Sequence, residues 1–284
     1  MAAIALGTDT GGSCRIPAAM CGTVGFKPTQ PRVPLAGAYP LSFSLDSIGS
    51  LGASVGCVAL VDQIMAGETP APVKPLPLAG RRLAVARNVA LDDLDQDVAK
   101  AFEAALDRLS RAGVTISKVK MPTLDRVASL FDKGGIAAAE AYALHKPLLA
   151  AKAAEFDPRV RIRIELGATQ SAVDYLGLRT LRSELSPAFD AETADFDAVL
   201  MPTCPIAPPP MTAFAGDDEY LRLNRLLLRN TSLANQLDRC SISLPCHAPG
   251  EAPAGLMLTG ERGADHFLLR LAAGVEAALA SPSS

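Results

Sequence analysis

The chain has 284 residues, 49% of them hydrophobic and 20% charged, with a formal net charge of −3 at pH 7. This length can bury a large core, and the balanced charge leaves no basic footprint for direct nucleic-acid binding; the absence of Trp and the 5% aromatic content argue against base-stacking surfaces. The longest uncharged runs, 47–61 and 201–216, are too short and too interrupted by Gly, Ser or Pro to span a bilayer.

Met1-Ala2-Ala3-Ile4-Ala5-Leu6 has no basic region ahead of its six apolar residues, so it does not read as a signal peptide. A Gly-rich, turn-rich block fills 1–67 and ends in an apolar helix around Ser54–Ala66, closed by Gly67. The run from Pro70 to Pro77 is a stiff, extended connector. Arg82–Ala86 reads as a strand, and Leu94, Val98, Ala101, Phe102, Ala105 and Leu109 recur at helical spacing with Gly113 as C-cap. With Val114–Val119 as a second strand, this makes a βαβ unit and favours a sheet covered by helices.

From Leu124 to Phe196 the pattern is mostly helical. Leu178, Leu181, Leu185 and Phe189 form one apolar stripe, and Pro158 and Pro187 mark breaks or first turns. Asp197–Pro202 is a buried strand running into a Pro-rich loop, Thr203–Pro210. A helix near Asp218–Gln236, strands at Cys240–Leu244 and Gly255–Leu258, and a last helix from Asp265 to Ala280 with Leu268, Leu271 and Val275 inward complete the chain. The tail Ser281–Ser284 is expected to fray. Cys14, Cys21, Cys57, Cys204, Cys240 and Cys246 lie in mostly apolar contexts without CxxC spacing, which favours buried thiols in a reducing cytoplasm over disulfides or a metal.

The chemistry concentrates in Gly7-Thr8-Asp9-Thr10-Gly11-Gly12-Ser13-Cys14-Arg15-Ile16-Pro17-Ala18-Ala19. Two glycines let the backbone bend sharply ahead of a hydroxyl nucleophile, Ser13, and turn N–H groups toward one point, where they can hold the negative oxygen of an attacked carbonyl. Cys21-Gly22-Thr23-Val24-Gly25-Phe26-Lys27-Pro28-Thr29 and Ser44-Leu45-Asp46-Ser47-Ile48-Gly49 follow. Together these segments resemble the amidase signature family of serine hydrolases. The later Leu200–Pro205, Thr231 with Asn235, Ser243–Cys246 and Gly255–Leu258 follow in that family's order.

The resemblance implies an α/β fold with a mixed sheet covered by helices on both faces, in a single domain over 1–284. It implies amide hydrolysis through an acyl-enzyme on Ser13, with no cofactor and no metal. The N–H groups of Thr10, Gly11, Gly12 and Ser13 would form the oxyanion hole, while Asp9 and Arg15 would brace the loop. A serine needs a base, and in the family a buried lysine and a bridging serine, both preceding this motif, relay the proton. All eight lysines here follow Ser13, and Lys27 falls in a scaffold turn. The relay groups are therefore expected upstream of Met1, in an N-terminal part this chain lacks, with Met1 an internal methionine or the gene truncated. The chain alone is then expected to be inactive.

No Gly-x-Ser-x-Gly elbow is present, because Arg15 stands at the last glycine's place, and His145, His247 and His266 are scattered. Ser50 and Ala53 depart from the family's usual proline and arginine, in scaffold. The expected partner is a small-molecule amide, without membrane or direct nucleic acid, and a homodimer is compatible with the complete form. Two alternatives stand beside this reading. One is the glutaminase-type amidotransferase component of tRNA-dependent amidation; the other is a non-catalytic amidase relic.

Overall fold

The computed structural model describes residues 2–280; Met1 and the tail expected to fray, Ser281–Ser284, lie outside the described residues. Eight strands form one sheet: β1 (Ile4–Thr8), β2 (Val24–Lys27), β3 (Ile48–Gly52), β4 (Arg82–Ala86), β5 (Thr115–Val119), β6 (Ala198–Pro202), β7 (Ser241–Pro245) and β8 (Gly255–Thr259). Their order is β1-β3-β2-β7-β8-β6-β4-β5. β4 pairs in parallel with β5 and β6, and every other pairing is antiparallel, so the sheet is mixed.

Strand alternation assigns each side chain to a face. Leu83 and Val85, Ala198 and Leu200, and Leu256 and Leu258 enter one apolar cluster; there they meet α2 (Val55–Met65), α3 (Gln96–Arg111) and α9 (Asp265–Ala280). Ala84 and Ala86, Val199 and Met201, and Met257 point the other way. They pack against Leu124 of α4 (Pro122–Val127), Leu185 and Phe189 of α7 (Ala172–Thr193), and Leu233 of α8 (Asp217–Gln236). The mixed sheet with helices on both faces is the architecture expected from the sequence. Two further helices, α5 (Gly135–Lys152) and α6 (Pro158–Glu165), extend the second layer. No helix among the described residues is long and apolar enough to cross a membrane.

Two local readings change. Pro158 does open α6, at its first turn, but Pro187 breaks nothing: α7 runs through it to Thr193. Leu185 and Phe189, at 0% and 1% exposure, anchor the helix on both sides of the missing N–H, and their burial outweighs one lost hydrogen bond. The Gly-rich block also holds more regular structure than its turns suggest, namely α1 (Arg15–Cys21), β2 and β3. These elements are four to seven residues long, too short for periodicity to register.

Candidate active site

The turn 9–14 joins β1 to α1, and α1 lies directly on β2. A Cβ at Gly25 would stand 2.3 Å from the Cys14 carbonyl oxygen and 2.6 Å from the Ala18 Cβ, so only glycine permits this approach. Gly12 has φ +140°, and a Cβ there would meet the Thr231 Oγ1 at 2.2 Å. The two glycine positions fix how the helix and turn seat against the sheet and against α8.

Asp9 and Arg15, expected to brace the turn, form a fully buried pair. Arg15 Nη2 lies 2.9 Å from Asp9 Oδ1 and Nε lies 3.1 Å from Oδ2, with neither side chain exposed. α8 completes the pair: Arg15 donates to the Thr231 carbonyl at 2.9 Å and to Asn235 Oδ1 at 2.6 Å, and Asn235 Nδ2 donates to Asp9 Oδ1 at 2.9 Å. Asp9 Oδ2 also accepts the Cys14 N–H at 3.1 Å. Burial alone would raise the Asp9 carboxyl; the Arg15 charge and the hydrogen bonds from Arg15 and Asn235 outweigh it and hold the group below its ordinary value.

The carbonyls of the turn are pinned, and this orients its N–H groups. In a trans peptide the C=O and the following N–H point in opposite directions. The Asp9 carbonyl accepts from Ser47 Oγ at 2.9 Å and Asn235 Nδ2 at 3.0 Å. The Gly11 carbonyl accepts from Thr231 Oγ1 at 2.7 Å and Ser232 Oγ at 3.3 Å, and the Gly12 carbonyl from the Ile16 N–H at 2.7 Å. The N–H groups of Thr10, Gly12 and Ser13 are thereby turned away from those partners. Together with that of Gly11, they meet no acceptor among the described residues. Four free donors in one turn beside an exposed hydroxyl are what stabilisation of an oxyanion requires.

The Ser13 side chain is exposed and has no hydrogen-bond partner among the described residues. The three histidines are engaged elsewhere: His145 with Tyr39 and the Pro40 carbonyl, His247 with Ala254, and His266 with Glu68. Lys27 is 1% exposed, and burial, with the Arg15 charge, lowers it to about 8. Its Nζ donates to the carbonyls of Pro28 at 2.8 Å and Arg239 at 3.0 Å, a scaffold role matching the sequence expectation. The Cys14 thiol is fully buried, and burial followed by the Asp9 charge pushes it up, so it is no nucleophile. A cavity of about 210 Å³ lined by Asp190, Thr193, Arg239 and Glu261 shares no residue with the turn.

Sequence reasoning found Asp9, Thr10, Gly11, Gly12, Ser13 and Arg15, and the fold brings them together. It quoted the Ser44–Gly49 segment for the resemblance and gave it no role at the site, yet Asp46 accepts the Thr10 hydroxyl at 2.5 Å and Ser47 ties the Asp9 backbone at both ends. Thr231 and Asn235 carried a signal: two polar residues four apart share one helix face, and here both are buried.

A family model described as Amidase matches residues 1–269. The chain is 35% identical over 280 residues to 2-amino-5-chloromuconic acid deaminase of Comamonas testosteroni, covering 97% of this chain and 60% of that protein. A crystal structure of an amidase superposes with a TM-score of 0.85 at 29% identity, covering 96% of this chain and 62% of that one. One component of the glutamyl-tRNA(Gln) amidotransferase of Thermotoga maritima superposes at 0.76, also at 29% identity and with the same coverages. The chain thus spans about 60% of the length of the curated relative named above. On the family match and these likenesses, the chain belongs to the amidase signature family.

Proposed function

We propose that this single domain carries the nucleophile and oxyanion half of a site that hydrolyses a small carboxamide. The observation that carries the reading is the turn itself: an exposed Ser13 hydroxyl beside the unpaired N–H groups of Thr10, Gly11, Gly12 and Ser13. Ser13 Oγ attacks the amide carbonyl, and the turn holds the resulting O⁻. The amine leaves with a proton, and water releases the acid from the Ser13 ester. No side chain of the described residues bonds the Ser13 hydroxyl. A serine hydroxyl without a base is a weak nucleophile, so turnover at this turn is expected to lie orders of magnitude below that of a site with a base beside its serine.

The glutaminase-type amidotransferase reading uses the same turn, and closer superposition on the amidase favours the hydrolase. A cytoplasmic location belongs to the hydrolase reading; it is supported by the six free cysteines. A fluorophosphonate probe tests the proposed chemistry. Labelling is expected at Ser13 alone, absent from Ser13→Ala, and faster as pH rises because solvent hydroxide must take the proton. A folded chain whose Ser13 labels no faster than its other serines is a relic, and one that turns over amides at the rate of a complete enzyme has a base of its own.

A further inference from the structure

The loop between β2 and β3 is held from the helical layer by one buried carboxylate. Glu140 on α5 is 1% exposed and accepts four hydrogen bonds: from Ser42 Oγ at 2.5 Å, the Ser44 N–H at 2.9 Å, Ser44 Oγ at 2.5 Å and the Tyr175 hydroxyl at 2.8 Å. Arg179 of α7 stands 3.6 Å from it and donates to Ser44 Oγ. A carboxylate so deeply buried is tolerated only with this many donors. If stapling a surface loop were its whole role, the contacts would end there.

They continue inward. Ser42 offers its hydroxyl to Glu140 and its N–H to Asp46 Oδ2, at 2.9 Å, while its carbonyl accepts the Asp46 N–H at 2.8 Å. Asp46 Oδ2 also takes the Leu41 N–H at 2.8 Å, and its Oδ1 takes the Thr10 hydroxyl at 2.5 Å. An unbroken hydrogen-bonded path therefore runs from Glu140 through Ser42 and Asp46 to Thr10, the first residue of the oxyanion turn. Each link ends on a carboxylate, Glu140 or Asp46, that holds more than one partner, so displacement at one end is passed on and not absorbed.

We propose that Glu140 is a positioning residue for the oxyanion turn, acting through Ser42, Asp46 and Thr10. This rests on the function proposed above. In amide hydrolysis the turn must hold its donors within a few tenths of an ångström of the developing charge. Glu140 achieves this from a different helix, through the loop, without touching the substrate.

The test is a double-mutant cycle between Glu140→Gln and Thr10→Val, read by hydrogen exchange at the Asp9 and Cys14 amides and by the labelling rate of Ser13. Both amides are hydrogen-bonded, to the Ser47 carbonyl and to the Asp9 carboxylate, so both report movement of the turn. Each single change is expected to raise exchange there about tenfold, and the pair no more than either alone, the non-additivity of residues on one path. Additive effects, or a rise confined to residues 39–47, overturn the proposal, since a local staple would give either. If Glu140→Gln does not fold, Ser42→Ala removes the shared hydroxyl, leaves Glu140 three donors and carries the same cycle. A wild-type chain that fails to label at Ser13 refutes the hydrolase reading, and the exchange cycle still decides the role of Glu140.

Discussion

Asp9 and Arg15 grip one another across the six-residue span that contains Ser13, by two contacts of 2.9 and 3.1 Å with no solvent exposure on either side chain. The pair closes the turn into a ring, and α8 locks the ring through Thr231 and Asn235. Removing one partner leaves a buried charge uncompensated. Arg15→Ala is therefore expected to cost about 3–5 kcal/mol in urea unfolding. Arg15→Lys should recover little of it, because an ammonium cannot address two carboxylate oxygens, the Thr231 carbonyl and Asn235 together. A loss below 1 kcal/mol in either variant (about the size of an exposed pair) would contradict this account.

Gly12 is the position at which the turn has least freedom. Its φ of +140° is closed to side chains, and the Thr231 hydroxyl occupies the space a Cβ would take. Gly12→Ala is expected to destabilise the chain by roughly 2 kcal/mol or more and to abolish labelling of Ser13, since strain and clash add at one atom. Gly67→Ala provides the comparison: its φ is +75° but nothing lies within 4 Å, so it should show backbone strain alone and leave Ser13 labelling intact.

The helical layers were legible because their long helices show a period, while the mixed sheet came with the family resemblance. The α7 stripe from Leu178 to Phe189 and the α3 helix of the β4-α3-β5 unit show that period. The turn residues were named through the motif from Gly7 to Ala19 and its resemblance to the amidase signature family. What stayed hidden was long-range pairing. Nothing local in Asp46 announces that its carboxylate waits for a hydroxyl 36 residues earlier, nor in Glu140 that it receives Ser42 and Ser44. Pro187 misled because propensity is a local prior, and the burial of Leu185 and Phe189 overrides it.

Thr231 separates the two duties of α8. Its carbonyl serves Arg15, while its hydroxyl pins the Gly11 carbonyl at 2.7 Å. Thr231→Val keeps the shape and the carbonyl and deletes the pin together with a longer contact to the Leu228 carbonyl at 3.3 Å, with Ser232 Oγ left as a weaker partner of Gly11 at 3.3 Å. The expected cost is about 1 kcal/mol of stability, with a larger fractional loss in the Ser13 labelling rate because the Gly12 N–H is no longer aimed. Equal labelling in Thr231→Val and wild type would show that the Gly11 peptide holds its orientation without the hydroxyl.

Opposing titrations set the alkaline limit of the fold. Burial raises four thiols: Cys204 and Cys246 to about 12, and Cys14 and Cys240 higher still, from an ordinary 9.0. A raised folded-state value is stability that is complete below 9.0 and is lost as pH climbs past it, because the unfolded chain gives up protons the native chain keeps. Each thiol contributes a fall of about 1.4 kcal/mol per pH unit. Lys27 acts in the opposite sense. Burial lowers it from 10.5 to about 8, so its contribution is present above 10.5 and lost as pH falls through 8. Between about pH 9 and 10.5 the thiols prevail, and the urea midpoint under reducing conditions is expected to fall steeply beyond pH 9. Lys27→Met removes the only rising contribution among these five groups and should steepen that fall. A midpoint that stays flat to pH 10.5 in both proteins would mean that the four thiols ionise as readily in the folded chain as in the unfolded one, and that these core positions admit water.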